Sequence, residues 1–146
     1  MKIVISLLLA SMAAAVMAVT PTQEAAFIAS YKKAFEARDI KALQAMLYTK
    51  GADPMALDFY KTMIVPEPGT KITSITLVDL SDEDVKRLAS GKTPDGRPMI
   101  TTLKPVKKLI VKTLTKTKDM EATGTSSPYV GEFEGKLMIP VPGAGK

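Results

Sequence analysis

This chain has no cysteine and no histidine, so any chemistry must be done by carboxylates, lysines, arginines, tyrosines and hydroxyls. Thiolate nucleophiles, disulfides, a lipid-anchored cysteine, histidine triads, imidazole bases and histidine-ligated metals all fall away. No cofactor and no metal centre is expected from what is left. The side chains best placed for a pocket lie in the first third of the chain. Tyr31 and Phe35 are four residues apart, and Asp58 and Tyr60 follow on a later segment. A buried phenol can stabilise a developing oxyanion, and a carboxylate can move a proton. Asp58 shares a helical face with Met55 or Thr62, however, and nothing in the spacing shows it converging with a second acid. No residue is therefore assigned a catalytic role.

Three other clusters resemble sites and do not meet the requirements of one. Asp82-Glu83-Asp84 lacks the spaced oxygens and the turn glycine of a calcium loop, and reads as acids complementing a helix N-terminus. Gly131-Glu132-Phe133-Glu134-Gly135-Lys136 has three residues between its glycines, Leu137 after its lysine, and acids that would repel phosphate. Lys104, Lys107, Lys108, Lys112, Lys116 and Lys118 form the one charge bias, in a chain of net charge +5. Contact with an anionic surface is conceivable there, but arginine is scarce and no aromatic interleaves the lysines, so nucleic acid is not the expected partner. Lysines that keep a long strand soluble are the simpler reading.

The elements that must position these residues are legible. Met1-Lys2, the apolar stretch Ile3 to Val16, and Val16-Met17-Ala18 read as a signal peptide over 1–18, cut after Ala18. The product is expected outside the cytoplasm, periplasmic or extracellular, with no stable membrane span after cleavage. Thr20-Pro21-Thr22-Gln23 is a capping box that opens a helix with Phe27, Tyr31, Ala34 and Phe35 on one face. Asp39 caps a second helix burying Ile40, Leu43, Met46 and Leu47, ended by Lys50-Gly51. Asp53-Pro54 starts a third helix that runs to Ile64. Six of the eight aromatics lie in this region and are expected in the core. Lys71 to Leu80 reads as a strand, Ser81 to Ser90 as a short capped helix, and Val106 to Thr117 as the longest strand. Gly124 to Pro128 reads as a loop, and Tyr129-Val130 with Leu137 to Ile139 as a hairpin turning at Glu134-Gly135. One domain is expected over 19–139, with a frayed tail over 140–146. Helices followed by strands mean α+β, with the helices on one face of an antiparallel sheet.

The stretch from Phe27 to Tyr60 resembles the nuclear transport factor 2-like superfamily. Its marks are an aromatic-bearing helix, Ala37-Arg38-Asp39-Ile40, the Leu43 to Leu47 run and a further short helix. Pro105 to Leu109 and Val130 to Lys136 look similar to uncharacterised exported bacterial members. The resemblance implies a cone: three N-terminal helices packed on a strongly bent antiparallel sheet, with a pocket between them. Among its enzymes, ketosteroid isomerase offers the best comparison. Tyr31 matches the oxyanion-donating tyrosine. The general base falls at Met55, which cannot take a proton, and the second donor falls among Leu114 to Lys116, where there is no acid.

The expected function is thus a non-catalytic exported module that binds a small apolar ligand or a protein partner, with Tyr31, Phe35, Asp58 and Tyr60 around the pocket. The alternative is a small isomerase or dehydratase using a Tyr/Asp pocket. In the long strand, Leu109, Val111, Thr113 and Thr115 are expected to face inward. The opposite face, Lys108, Ile110, Lys112, Leu114 and Lys116, is the expected face of a weak homodimer, with Ile110 and Leu114 at its centre and the lysines at its rim, since superfamily members often pair through the sheet.

Overall fold

The computed structural model describes residues 19–93 and 95–145. The expected signal peptide and its cleavage point after Ala18 fall on residues 1–18, outside the described residues, and so does Lys146.

The first helix, α1 (Pro21–Glu36), starts as its sequence dictates. The Thr20 side chain accepts from the Gln23 backbone, and the Gln23 side chain accepts from the Thr20 N–H at 2.8 Å. Its stripe of Phe27, Tyr31, Ala34 and Phe35 is buried. Asp39 caps α2 (Ile40–Gln44), and Asp53 caps α3 (Pro54–Met63), both through their side chains. Between α2 and α3 runs a two-residue strand, β1 (Leu47–Tyr48). The second helix is therefore shorter than expected. Met46 and Leu47 leave it, and Leu47 is buried as part of a sheet rather than on a helical face. A two-residue strand has no periodicity to read.

The remaining strands are β2 (Thr70–Asp79), β3 (Met99–Ile100), β4 (Pro105–Lys116), β5 (Glu121–Ser126), β6 (Tyr129–Phe133), β7 (Lys136–Pro140) and β8 (Gly143–Ala144), with α4 (Asp82–Ala89) after β2. The main sheet runs β1-β7-β6-β4-β2, with β5 also on β4. Every pair in it is antiparallel except β1 with β7, where Leu47 lies beside Ile139. The fold is α+β, as expected, but the sheet is mixed rather than purely antiparallel. β4 is its spine. Along one edge it pairs with β2; along the other it pairs first with β6 and then with β5. The expected loop at 124–128 is half strand. All six residues of β5 are exposed, so no burial pattern could announce it, and a side chain at Gly124 would meet Thr113 Oγ1 at 2.9 Å.

The core forms on one face of this sheet. Leu109 and Val111 point inward as expected and are essentially sealed, together with Val130, Leu43 and Val141. They meet the α1 stripe, a packing that drives such a fold by removing apolar surface from water. Lys107, on the same face, holds α1 to the sheet through Glu24 at 3.0 Å and Asp79 at 2.7 Å. The third helix departs from expectation. Met55, Phe59 and Met63 stand outward at 74%, 60% and 63% exposure, so Phe59 does not join the core.

The segment after Ile139 is not a frayed tail. Pro140 and Val141 are buried, Val141 completely, and Gly143–Ala144 pairs with Met99–Ile100. The Val141 N–H donates to Tyr48, Thr102 Oγ1 donates to the Val141 carbonyl, and the Asp53 N–H donates to the Pro142 carbonyl. Proline and glycine concealed the segment because they carry no side-chain periodicity, while its fixing comes from backbone groups.

Candidate functional site

The face of the sheet opposite α1 carries a buried polar cluster centred on Asp84. The first turn of α4 builds it. Ser81 and Asp84 form a reciprocal cap: Asp84 N–H to Ser81 Oγ at 3.1 Å, and Ser81 N–H to Asp84 Oδ2 at 3.0 Å. The acids of 82–84 do lie at a helix start, but Asp84 does more than complement a dipole. It is 3% exposed, the only buried charged side chain among the described residues. Lys108 Nζ donates to both its oxygens, at 2.9 and 3.2 Å. Tyr129 Oη donates at 3.1 Å and Ser81 Oγ at 2.8 Å. Alternation along β4 sets Lys108 on the face opposite Leu109, and cross-strand pairing sets Tyr129 beside it.

These donors decide the protonation state. The Lys108 hydrogen bond and the Ser81 backbone hold the Asp84 carboxyl far below the usual carboxylate range, against the opposing effect of burial. Burial, with Asp84 as acceptor, pushes the Tyr129 phenol up. Asp84 is thus a fixed anion with its lone pairs taken, poorly suited to accept a proton from a substrate.

Around this cluster lies a pocket of about 390 Å³. Leu88, Met99, Ile100, Pro105, Pro140 and Pro142 give it apolar walls, and Tyr60 reaches it from α3. Two cations also line it, Arg87 from α4 and Lys92 just after that helix. Among the described residues, neither has a carboxylate within ion-pair distance. The pocket therefore offers charged donors and no free acceptor of matching strength. The C-terminal segment, read from sequence as a tail, supplies part of its wall.

A second, smaller cavity of about 170 Å³ lies on the α1 face, lined by Tyr31, Leu47, Ile64 and Ile139, with Phe59 and Met63 at its rim. Of the four pocket residues expected from sequence, Tyr31 lines this cavity, and Tyr60 lines both. Burial raises both phenols. Phe35 is buried in the core and lines neither cavity; it stacks beside Tyr31 with ring centres 6.2 Å apart. Asp58 is exposed on the outer side of α3 and lines neither cavity. The Tyr/Asp pocket of the alternative reading is not assembled from Asp58, because residue 58 falls on the helix face away from Tyr60.

The expected partner face is divided. Lys108 is withdrawn from it by Asp84, and α4 covers that end. Ile110 and Leu114 are half-buried, Lys112 is exposed, and Lys116 pairs with Glu121 at 3.2 Å. Among the described residues, no group of three or more acidic side chains could hold a metal ion, and no helix is long and apolar enough to cross a membrane. Comparison with protein-family models, with curated proteins and with solved structures gave no match.

Proposed function

We propose that this chain is a binding module for a small molecule with an anionic head group, held between α4 and the sheet. One observation carries the reading: among the described residues, in a pocket of about 390 Å³, the sole buried carboxylate is saturated while Arg87 and Lys92 have no acidic partner. Pockets of this size suit small organic ligands, with a few polar groups fixing orientation and apolar walls giving contact. Arginine suits a carboxylate because its planar fork matches the two oxygens. The ligand is charged at one end, unlike the wholly apolar one expected from the sequence. The module is non-catalytic in this reading, because the acid in the pocket is locked as an anion. We place its work outside the cytoplasm, on the basic start and apolar run of residues 2–16.

The test is a calorimetric titration with two probes of matched body and opposite charge. Phenylacetate should bind and phenethylamine should not. Arg87→Ala and Lys92→Ala should each weaken phenylacetate about tenfold, the scale of one charge-assisted hydrogen bond. Equal binding of both probes, or of neither, would remove the proposal.

A further inference from the structure

The two cavities lie on opposite faces of the sheet, yet Tyr60 and Ser127 line both. The place where they meet is defined by the strand pairing. β5 follows β4 over Val111 to Lys116, and β6 follows it over Pro105 to Lys108. Between them the chain steps through Ser127-Pro128, held to β4 at Leu109 by a single backbone hydrogen bond of 2.9 Å. At this step the donor-lined pocket and the apolar chamber have Tyr60 and Ser127 as common lining. The Tyr60 side chain stands there. The Tyr129 hydroxyl is committed to Asp84, whereas the Tyr60 hydroxyl is engaged by no protein group among the described residues. Its ring contacts Phe59 edge-on, with centres 6.1 Å apart, and Phe59 is largely exposed. The Tyr60 ring is partly buried and packs against the hydrophobic core, so it is a wall common to both cavities.

The chamber's size sets what it can take. The chamber measures about 170 Å³ and opens to solvent between the exposed Phe59 and Met63, with Tyr31, Leu47, Ile64 and Ile139 as its apolar wall and Ser126-Ser127 beside them, room for a group of about the size of one aromatic ring. We infer that the two cavities are the ends of one site and that its ligand is an arylalkanoate or a branched alkanoate of similar bulk. The carboxylate lies at Arg87 and Lys92, and the tail passes Tyr60 into the apolar chamber. This rests on the anionic head group proposed above and adds the tail, its length class and its destination. The shared Tyr60 and Ser127 are what tie the chamber to the pocket rather than to a separate guest.

The experiment is a methyl-detected NMR titration of the protein with phenylacetate and with 6-phenylhexanoate. The longer probe should bind at least tenfold more tightly and shift the methyl groups of Leu47, Ile64 and Ile139, which phenylacetate leaves in place. If phenylacetate binds while 6-phenylhexanoate gains nothing and the three methyl groups stay still, the joined site is wrong and the head-group reading stands. If 6-phenylhexanoate shifts only the chamber methyl groups and Arg87→Ala leaves its affinity unchanged, the head-group reading fails and the joined site fails with it.

Discussion

Lys108 Nζ stands 2.9 Å from Asp84 Oδ2 and 3.2 Å from Oδ1, so an ammonium on β4 and a carboxylate on α4 fasten the helix to the sheet. The carboxylate is buried and the lysine mostly covered, at 5% and 23% side-chain exposure. Such a pair is costly to break by halves, because the survivor keeps its desolvation and loses its partner. Asp84→Ala should destabilise the protein by about 3 kcal/mol, measured by urea unfolding. Replacing both, as Asp84→Leu with Lys108→Met, should recover most of that loss. A double variant no better than the single would show that the pair itself holds α4.

The same pair makes stability depend on acid. The folded-state pKa of Asp84 lies below its unfolded value, so its contribution is fully present above the unfolded pKa of about 3.9. It is lost as pH falls through the folded value. The stability difference between the wild type and Asp84→Asn should be constant from about pH 5 upward and shrink below about pH 4. A difference that holds unchanged into strong acid would show that the Asp84 pKa is not depressed by folding.

The hairpin between β6 and β7 carries strain that can be removed. Glu134 and Gly135 have φ of 50° and 79°, both in the left-handed region, in a two-residue connection closed by Phe133 opposite Lys136. That geometry favours Asn-Gly, since asparagine tolerates positive φ better than glutamate does. Glu134→Asn should stabilise the protein by about 0.5–1 kcal/mol, the scale of relieved backbone mismatch. A loss of stability would indicate that the Glu134 side chain serves a contact outweighing the turn preference.

The C-terminal clip should be sensitive to a single methyl group. A Cβ at Gly143 would sit 2.9 Å from the Gly51 carbonyl oxygen and 3.4 Å from the Thr102 side chain. Gly143→Ala should therefore loosen the pairing with Met99–Ile100. Hydrogen exchange at the Val141 amide, which donates to Tyr48, should rise at least tenfold. Unchanged protection there would mean that the segment is held by Val141 burial alone.

Much of this fold was legible, and the reason is local. Thr20, Asp39, Asp53 and Ser81 each accept a backbone hydrogen bond where a cap was expected, because capping is decided within four residues. Leu109 and Val111 could be oriented from alternation alone. What escaped depended on distant partners. β1 and β8 are two residues long and exist only by pairing with β7 and β3. Lys108 reads as a solvated strand lysine until α4 is folded back across the sheet to bring Asp84 to it. Of the pocket residues expected from the sequence, Tyr60 alone lines the pocket beside α4, and Tyr31 lines the smaller cavity. The pocket's cations, Arg87 in the last turn of α4 and Lys92 just after it, lie beyond an acidic start that drew the reading to the helix N-terminus. Asp84 carried one usable signal, since it is the position of a capping box and so is held close to the sheet-facing turn.

Charge reversal at Arg87 tests the central claim most directly, because Arg87 is exposed and its replacement leaves the core untouched. Affinities of Arg87→Glu for phenylacetate and phenethylamine would be measured beside those of the wild type, with the unfolding midpoint as the control for folding. The account predicts that phenylacetate binding falls at least tenfold and that phenethylamine binding appears. Unchanged phenylacetate affinity in a folded Arg87→Glu protein would contradict it, since the pocket would then bind without reading charge at Arg87.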